Sequence, residues 1–149
     1  NVALNNFKSS NFFNKGLIDE KKIKEHSQKI LSDFSVNTDN VELKSQFLSG
    51  GNLQKLIIGR ELITSPELLI CFNPTWGLDV GAINYIHETL IKINEQKKSI
   101  ILISTDTDEL LKLCDKICVI FKGKLSKIMD AEEVTSEKLG ILMGGGEIV

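Results

Sequence analysis

The chain has 149 residues and a mass of 16.6 kDa, enough for one compact domain and too few for two complete enzymatic domains. Its 42% hydrophobic and 26% charged residues are typical of a folded globular protein and argue against a disordered chain. The net charge of -2 supplies no overall basic field, so nucleic acid is not expected as a partner.

The first region of the chain is predicted to be helical. Asp19 is a candidate N-cap, and apolar residues follow it at helical spacing as far as Phe34. The next stretch, residues 35–47, is polar and rich in turn formers. We therefore divide the chain into a helical subdomain portion, residues 1–47, and a larger part, residues 48–149.

The larger part begins with a predicted helix and a strand–helix–strand unit. Residues 52–64 are rich in Leu and Ile and end before Pro66, which favours a largely buried helix. Apolar runs at 68–72 and 100–103 predict two strands, and the helical spacing between them makes the unit a parallel crossover. A third run at 117–121 predicts another strand, and such runs suit strands covered on both faces.

The remaining elements complete an α/β fold with a mostly parallel sheet covered by helices. Residues 107–114 predict a short helix, and Lys122-Gly123 predicts a hairpin turn that leads into residues 124–129. Residues 136–143 predict a last helix, which the glycines that follow would end.

Two features of the sequence concern cellular context. The three cysteines, Cys71, Cys114 and Cys118, lie in apolar surroundings without C-x-x-C spacing, which favours reduced, buried thiols over disulfides or a metal site. The start, Asn1 to Leu4, has no signal-peptide pattern. We expect the chain to be part of a longer polypeptide.

The strongest local signal is Leu48-Ser49-Gly50-Gly51-Asn52, which leads straight into a helix. Two glycines let the backbone approach a ligand closely, and the N–H groups and dipole at a helix start favour an anion such as phosphate. An ordinary glycine-rich N-cap explains the same residues equally well. This motif alone does not decide between the two interpretations.

Further motifs give the chain a resemblance to the ATP-binding cassette (ABC) ATPases along nearly its whole length. The resemblance rests on four segments: residues 48–55 (Leu-Ser-Gly-Gly-Asn-Leu-Gln-Lys), the apolar run 68–72, residues 74–82 (Pro-Thr-Trp-Gly-Leu-Asp-Val-Gly-Ala) and Ile103-Ser104. In that family they are the signature motif, the Walker B strand, the D-loop and the end of the strand before the switch histidine. Their variants look like the second cassette of the double-cassette ATPases of simple-sugar and nucleoside importers.

The resemblance also shows what this sequence lacks. It contains no G-x-x-x-x-G-K-[ST] loop, the element that cradles the phosphates of a bound nucleotide. In the family that loop precedes the helical subdomain. We therefore interpret the chain as the C-terminal part of one cassette, in which ATP and Mg²⁺ would be bound by the intact transporter and not by this part alone.

The family's catalytic positions are altered here. By the spacing from the signature serine, Phe72 stands where the Walker B aspartate belongs, Asn73 where the catalytic glutamate belongs, and Thr105 where the switch histidine belongs. A phenyl ring cannot hold magnesium's waters, and an amide cannot act as a general base. No catalytic or metal-binding residue is therefore assigned to this chain.

The resemblance leaves a role in trans for the signature motif. ABC cassettes pair head to tail, so Ser49, Gly50, Gly51 and Asn52 would meet the γ-phosphate bound by a partner cassette. Asp79 would be the D-loop aspartate that faces the partner, although an aspartate before a helix also serves as a capping residue. The implied partners are a first cassette, in the same polypeptide, and transmembrane permease subunits, and the implied location is cytoplasmic at the inner membrane face.

Two other functions remain open from the sequence. An autonomous ATP-hydrolysing enzyme would need a Walker A loop upstream and a reaction that tolerates Phe72 and Asn73. A non-transport cassette protein acting on ribosomes or DNA would be favoured by long charged insertions or a basic face, and the sequence has neither.

Overall fold

The computed structural model describes Val2 and residues 12–14, 17–38 and 40–146. These residues form a partial α/β fold, as the sequence predicts. Apart from Val2, the predicted chain start from Asn1 to Leu4 lies outside the described residues. The elements are β1 (Phe13–Asn14), β2 (Leu17–Ile18), α1 (Glu20–Asp33), α2 (Gly50–Leu62), β3 (Leu68–Phe72), α3 (Val80–Glu95), β4 (Ser99–Ile103), α4 (Thr107–Leu113), β5 (Lys116–Ile117), β6 (Ile120–Phe121), β7 (Lys124–Leu125), β8 (Met129–Asp130) and α5 (Ser136–Met143).

Helices α1 and α2 pack together around one apolar cluster. Asp19 caps α1 by accepting a hydrogen bond from the Lys22 N–H, as predicted. The cluster consists of Val2, Ile30, Val36 and Leu56, with Leu31, Phe34, Leu48 and Ile63 packed against it. The two helices come very close at Gly59, where an added Cβ would lie 2.6 Å from Phe34 Cδ2.

Strands β3 and β4 form the predicted parallel pair, joined by α3 as the crossover helix. The register is continuous, from Leu68 opposite Ser99 to Phe72 opposite Ile103. Because parallel strands end at the same edge of a sheet, the residues after Phe72 and after Ile103 come together there. This pairing positions Asn73 and Thr105 near each other.

The expectation that the strands are covered on both faces was wrong. Strand β3 alternates between exposed and buried residues, and Phe72 and Ile70 are 72% and 62% exposed. In the described residues only one face of this pair is covered, so the apolar residues on the other face remain exposed.

The third apolar run is not one strand. It is split into β5, which pairs antiparallel with β8, and β6, which pairs antiparallel with β7. The predicted hairpin turn at Lys122-Gly123 is confirmed, and both residues have positive φ, 44° and 77°. The chain folds back at this turn, so part of the run becomes one arm of a hairpin.

The C-terminal helices pack on a second apolar cluster. It consists of Ile117, Val119, Val134 and Leu139, with residues of α4 and α5 against it. Helix α5 has the predicted bounds, and its N-cap Thr135 accepts a hydrogen bond from the Lys138 N–H.

By their internal contacts the residues form two compact units. One contains residues 1–67 and 75–88, and the other contains residues 68–74 and 89–149. The boundary predicted at residue 47 stays a prediction. Within the described residues, no helix is long and apolar enough to cross a membrane.

The cysteines are free thiols, but they differ in exposure. Cys71 is buried and Cys118 is exposed, so the expectation that all three are buried was wrong. Burial and the neighbouring Glu109 carboxylate raise the pKa of Cys71 to about 11. The Cys71 thiolate is therefore scarce at neutral pH, and this thiol is expected to be unreactive.

We expect Gly59→Ala to destabilise the fold, because the new methyl group would overlap the Phe34 ring. Overpacking of this kind costs about 1–3 kcal/mol of unfolding free energy. The matched control is Gly140→Ala in α5, where nothing lies within 4 Å of the added Cβ and alanine should stabilise the helix by about 0.5–1 kcal/mol. Urea denaturation of both variants measures the difference, and equal effects would contradict the close packing at Gly59.

Candidate functional site

Ser49 forms the turn that begins α2. Its backbone is extended, with φ -60° and ψ 156°, and its hydroxyl oxygen accepts a hydrogen bond from the Asn52 N–H at 3.4 Å. Helix α2 therefore begins at Gly50, two residues earlier than predicted. Ser49 and Gly50 are exposed, so the first turn of the helix faces solvent.

Asn52 makes three hydrogen bonds that hold this turn. Besides its backbone N–H, its side-chain Nδ2 donates to Ser49 Oγ at 3.0 Å. Its Oδ1 accepts from the Asn37 backbone N–H at 2.9 Å. The Asn52 N–H, expected to face a ligand, is thus engaged within the turn, and the side chain connects Ser49 to the segment that follows α1.

The start of α2 lies against the start of α3. A Cβ added at Gly51 would be only 2.9 Å from Ala82 Cβ, whereas one at Gly50 would be 3.5 Å from Leu78 Cδ2. The first distance is shorter than side chains allow, and the second is an ordinary contact. Gly51 is therefore the residue whose missing side chain lets the two helix starts meet.

Asp79 caps α3. Its Oδ1 accepts a hydrogen bond from the Ala82 N–H at 2.9 Å, and the Ile83 N–H bonds to its carbonyl at 3.0 Å. The capping interpretation of this residue is thus observed directly. Asp79 is exposed, so the same carboxylate is also accessible from outside, and its role towards a partner stays a prediction.

The N-termini of α2 and α3 lie next to each other. We call the first the signature turn (residues 49–52) and the second the D-loop start (residues 78–82). The first turn of a helix leaves N–H groups without intrahelical acceptors, and its dipole favours negative charge. The Ser49 hydroxyl and the Gly50 and Gly51 amides therefore make the signature turn suited to an exposed phosphate oxygen.

The structure brings Asn73 and Thr105 together at the end of the parallel strand pair. The Asn73 Oδ1 accepts a hydrogen bond from the Thr105 N–H at 3.2 Å, and the Asn73 N–H donates to the Ile103 carbonyl at 2.7 Å. Asn73 has a φ of 44°, a left-handed conformation that asparagine tolerates better than most residues. Phe72, by contrast, projects from the exposed face of β3.

These residues do not suit a magnesium ion. Mg²⁺ prefers carboxylates and water as ligands, but Phe72 offers no oxygen and the Asn73 amide oxygen is already paired. In the ranges that the structure describes, no three His, Cys, Asp or Glu side chains are grouped as a metal site.

The contacts of Asn37 and Lys55 are not predictable from the sequence pattern. Lys55 Nζ bonds to the Ser35 carbonyl at 3.3 Å and lies 4.4 Å from the centre of the Tyr85 ring. Asn37 and Ser35 lie in the polar connection 35–47. The Ser-x-x-Asn spacing was a signal for the capping turn, but no pattern indicated which residues outside α2 would pair with it.

The chain is similar to ATP-binding proteins of bacterial importers. It is 41% identical to the nucleoside import ATP-binding protein NupA of Lactococcus lactis, over 99% of this chain and 29% of the relative. It is 35% identical to the guanosine import protein NupO of Bacillus subtilis, over 97% and 28%. It is 38% identical to the ribose import protein RbsA of Oceanobacillus iheyensis, over 98% and 29%. The chain thus spans less than a third of the length of these relatives.

Solved structures share its fold. A metal-chelate type ABC transporter in an inward-facing conformation matches with a TM-score of 0.74 and 19% identity, over 96% of this chain and 56% of that one. A dimeric ATP-binding cassette in a post-hydrolysis state, bound to ADP and Pi, matches with a TM-score of 0.64 and 23% identity, over 79% and 51%. No protein-family model matches the chain.

We expect Gly51→Ala to disturb the contact between the two helix starts, since its methyl group would overlap Ala82. The predicted cost is about 1–3 kcal/mol of unfolding free energy. Gly50→Ala, one residue earlier in the same turn, should change stability by less than about 0.5 kcal/mol. Parallel thermal and urea unfolding of the two variants tests this, and an equally tolerated Gly51→Ala would contradict the close approach.

Proposed function

Because the chain belongs to the ABC ATPase family, we propose that it is the C-terminal part of the second cassette of an importer for sugars or nucleosides. In this proposal it supplies the signature turn to ATP held by the first cassette. Its own side of the cassette pair does not catalyse hydrolysis. The whole transporter, not this part alone, binds ATP and Mg²⁺.

The single observation that carries the proposal is the signature turn itself. It presents a hydroxyl and first-turn amides to solvent, at a helix start whose dipole favours phosphate. Such a turn suits a nucleotide that another cassette holds, where these donors would stabilise charge on the γ-phosphate.

The proposal of a non-catalytic own side is supported by Asn73 and Thr105. A general base needs a carboxylate or an imidazole within reach of the attacking water. The Asn73 amide cannot take up a proton at neutral pH, and its oxygen is paired with the Thr105 backbone. In this proposal Asn73 has a structural role, which is to hold the Thr105 backbone at the end of β3 and β4.

The proposed partners are the first cassette, in the same polypeptide, and transmembrane permease subunits. The relatives are named as import ATP-binding proteins, and one structural neighbour is a cassette dimer. Trp76 and Val80, on either side of the D-loop turn, are 79% and 73% exposed, and exposed apolar residues of this size favour a protein contact. The proposed location is the cytoplasmic face of the membrane.

Gly50→Asp in the intact importer should abolish ATP hydrolysis at the site that this cassette completes. The substitution places a carboxylate at the exposed helix start, and like charges at close range repel by about 1 kcal/mol in water and by several in a partly dehydrated interface. Nucleotide affinity of the first cassette should change little, because its own phosphate loop is intact. The measurement is ATPase rate together with nucleotide affinity in the purified transporter.

Gly50→Ala is the matched control, since it adds the Cβ without the charge and that Cβ has room beside Leu78. It should lose much less activity than the aspartate. If the aspartate variant still hydrolyses ATP at the normal rate, the signature turn does not contribute to the working site and the proposed function is wrong.

Asn73→Ala should leave ATPase activity and uptake nearly unchanged, because the residue has no proton to give or take. The corresponding glutamate of the first cassette should be indispensable. Steady-state ATPase and uptake assays of both variants make the comparison. A loss of tenfold or more for Asn73→Ala, about 1.4 kcal/mol in barrier height, would show that Asn73 still positions water or nucleotide.

A further inference from the structure

The hydrogen bonds around Asn52 form a directed chain. The Asn37 N–H donates to Asn52 Oδ1 at 2.9 Å, and Asn52 Nδ2 donates to Ser49 Oγ at 3.0 Å. Both hydrogen bonds are donated in the direction of Ser49. This series of hydrogen bonds therefore has one direction, and it ends at the Ser49 hydroxyl.

The backbone fixes the direction of the first link. A backbone N–H can only donate, so the Asn52 oxygen must face Asn37 and the Asn52 NH₂ must face Ser49. The reversed amide would place two donors against each other at Asn37. The orientation of the Asn52 side-chain amide thus follows from the hydrogen bond with the Asn37 N–H.

The second link fixes the serine hydroxyl. A hydroxyl oxygen has two lone pairs and one proton, and Ser49 Oγ accepts from both the Nδ2 and the backbone N–H of Asn52. Its lone pairs are therefore occupied, and its own proton is left to donate. Ser49 is exposed, so this proton is available to an incoming acceptor.

We propose that Asn52 is a positioning residue that holds Ser49 as a hydrogen-bond donor towards the phosphate of the partner cassette's nucleotide. The inference rests on the proposed function and adds a role to it. Asn52 does not touch the nucleotide through its side chain. It acts through Ser49, because a hydroxyl that already accepts two bonds offers a phosphate oxygen only its proton.

The substitution Asn52→Asp distinguishes the positioning role from a purely structural role of Asn52. Asn52 lies in the first turn of α2, where an acidic side chain is favoured by the helix dipole. Asn52→Asp would keep an oxygen for the Asn37 N–H and nearly the same shape. If Asn52 only stabilised the helix start, the aspartate would be tolerated or would stabilise the fold.

If Asn52 orients Ser49, the same substitution is harmful. An aspartate has no NH₂ to donate, so the Ser49 hydroxyl would turn to donate to the new carboxylate, and the phosphate would lose its donor. In the intact importer we expect kcat for ATP hydrolysis to fall at least about tenfold. KM for ATP should stay within about threefold, and the thermal unfolding midpoint should be unchanged or higher.

The added charge is separated from the orienting effect by a double-mutant cycle with Ser49→Ala. Without the hydroxyl there is nothing to orient, so Asn52→Asp should cause no more than about a threefold further loss in the Ser49→Ala background. A tenfold further loss in that background would mean that the carboxylate acts directly on the phosphate, and it would overturn the proposal.

Lys55→Met is the matched structural control. It removes the other hydrogen bond between α2 and the segment after α1, from Lys55 to the Ser35 carbonyl, but leaves the bonds of Asn52 in place. It should keep kcat within about threefold. A loss of tenfold or more for Lys55→Met, which leaves the bonds of Asn52 intact, would show that the attachment of α2 to the segment after α1 controls hydrolysis by itself, and would overturn the proposal.

Gly50→Asp separates failure of this inference from failure of the proposed function. If Gly50→Asp abolishes hydrolysis while Asn52→Asp or Ser49→Ala retains it, the signature turn is used but the orienting role of Asn52 is wrong. If Gly50→Asp also retains hydrolysis, the proposed function fails and this inference fails with it.

Discussion

The close approach of Gly51 to Ala82 is the constraint on which the candidate site depends. Only a residue without a side chain fits there, since an added Cβ would lie 2.9 Å from Ala82 Cβ. This contact sets the start of α2 beside the start of α3, so that Ser49 and Asp79 cap two neighbouring helices. The missing side chain of Gly51 thus fixes how closely the two helix starts approach each other.

The parallel pairing of β3 and β4 has the corresponding role for Asn73 and Thr105. It brings the residue after β3 and the loop after β4 to one edge, where catalytic groups of open α/β sheets are usually found. Here that edge carries an amide bonded to a backbone N–H. The paired oxygen of the Asn73 amide cannot act as a general base. The signature turn, in contrast, keeps its donors.

The sequence was sufficient for what depends on local pattern. The N-cap of α1, the crossover unit, the hairpin turn at Lys122-Gly123 and the bounds of α5 follow from periodicity and turn chemistry, and each is observed. It failed where an outcome depends on what covers a strand. The run at 117–121 looks like one buried strand, yet its pairing partners are decided by the hairpin that follows.

The candidate site was likewise predictable only in part. Ser49 and the glycines stood out because their spacing has a direct physical meaning at a helix start. The bond between Asn52 and Asn37 joins residues 15 positions apart, and no local pattern encodes such a pairing. The direction of the Ser49 hydroxyl depends on that bond, so it required the structure.

The left-handed backbone of Asn73 makes this position costly for a glutamate. A glutamate at this position would adopt a φ of 44° at a cost of about 1 kcal/mol or more, and it would give up the amide bond to Thr105. Asparagine therefore fits both the backbone conformation and the hydrogen bonding of this turn better than the longer acid would.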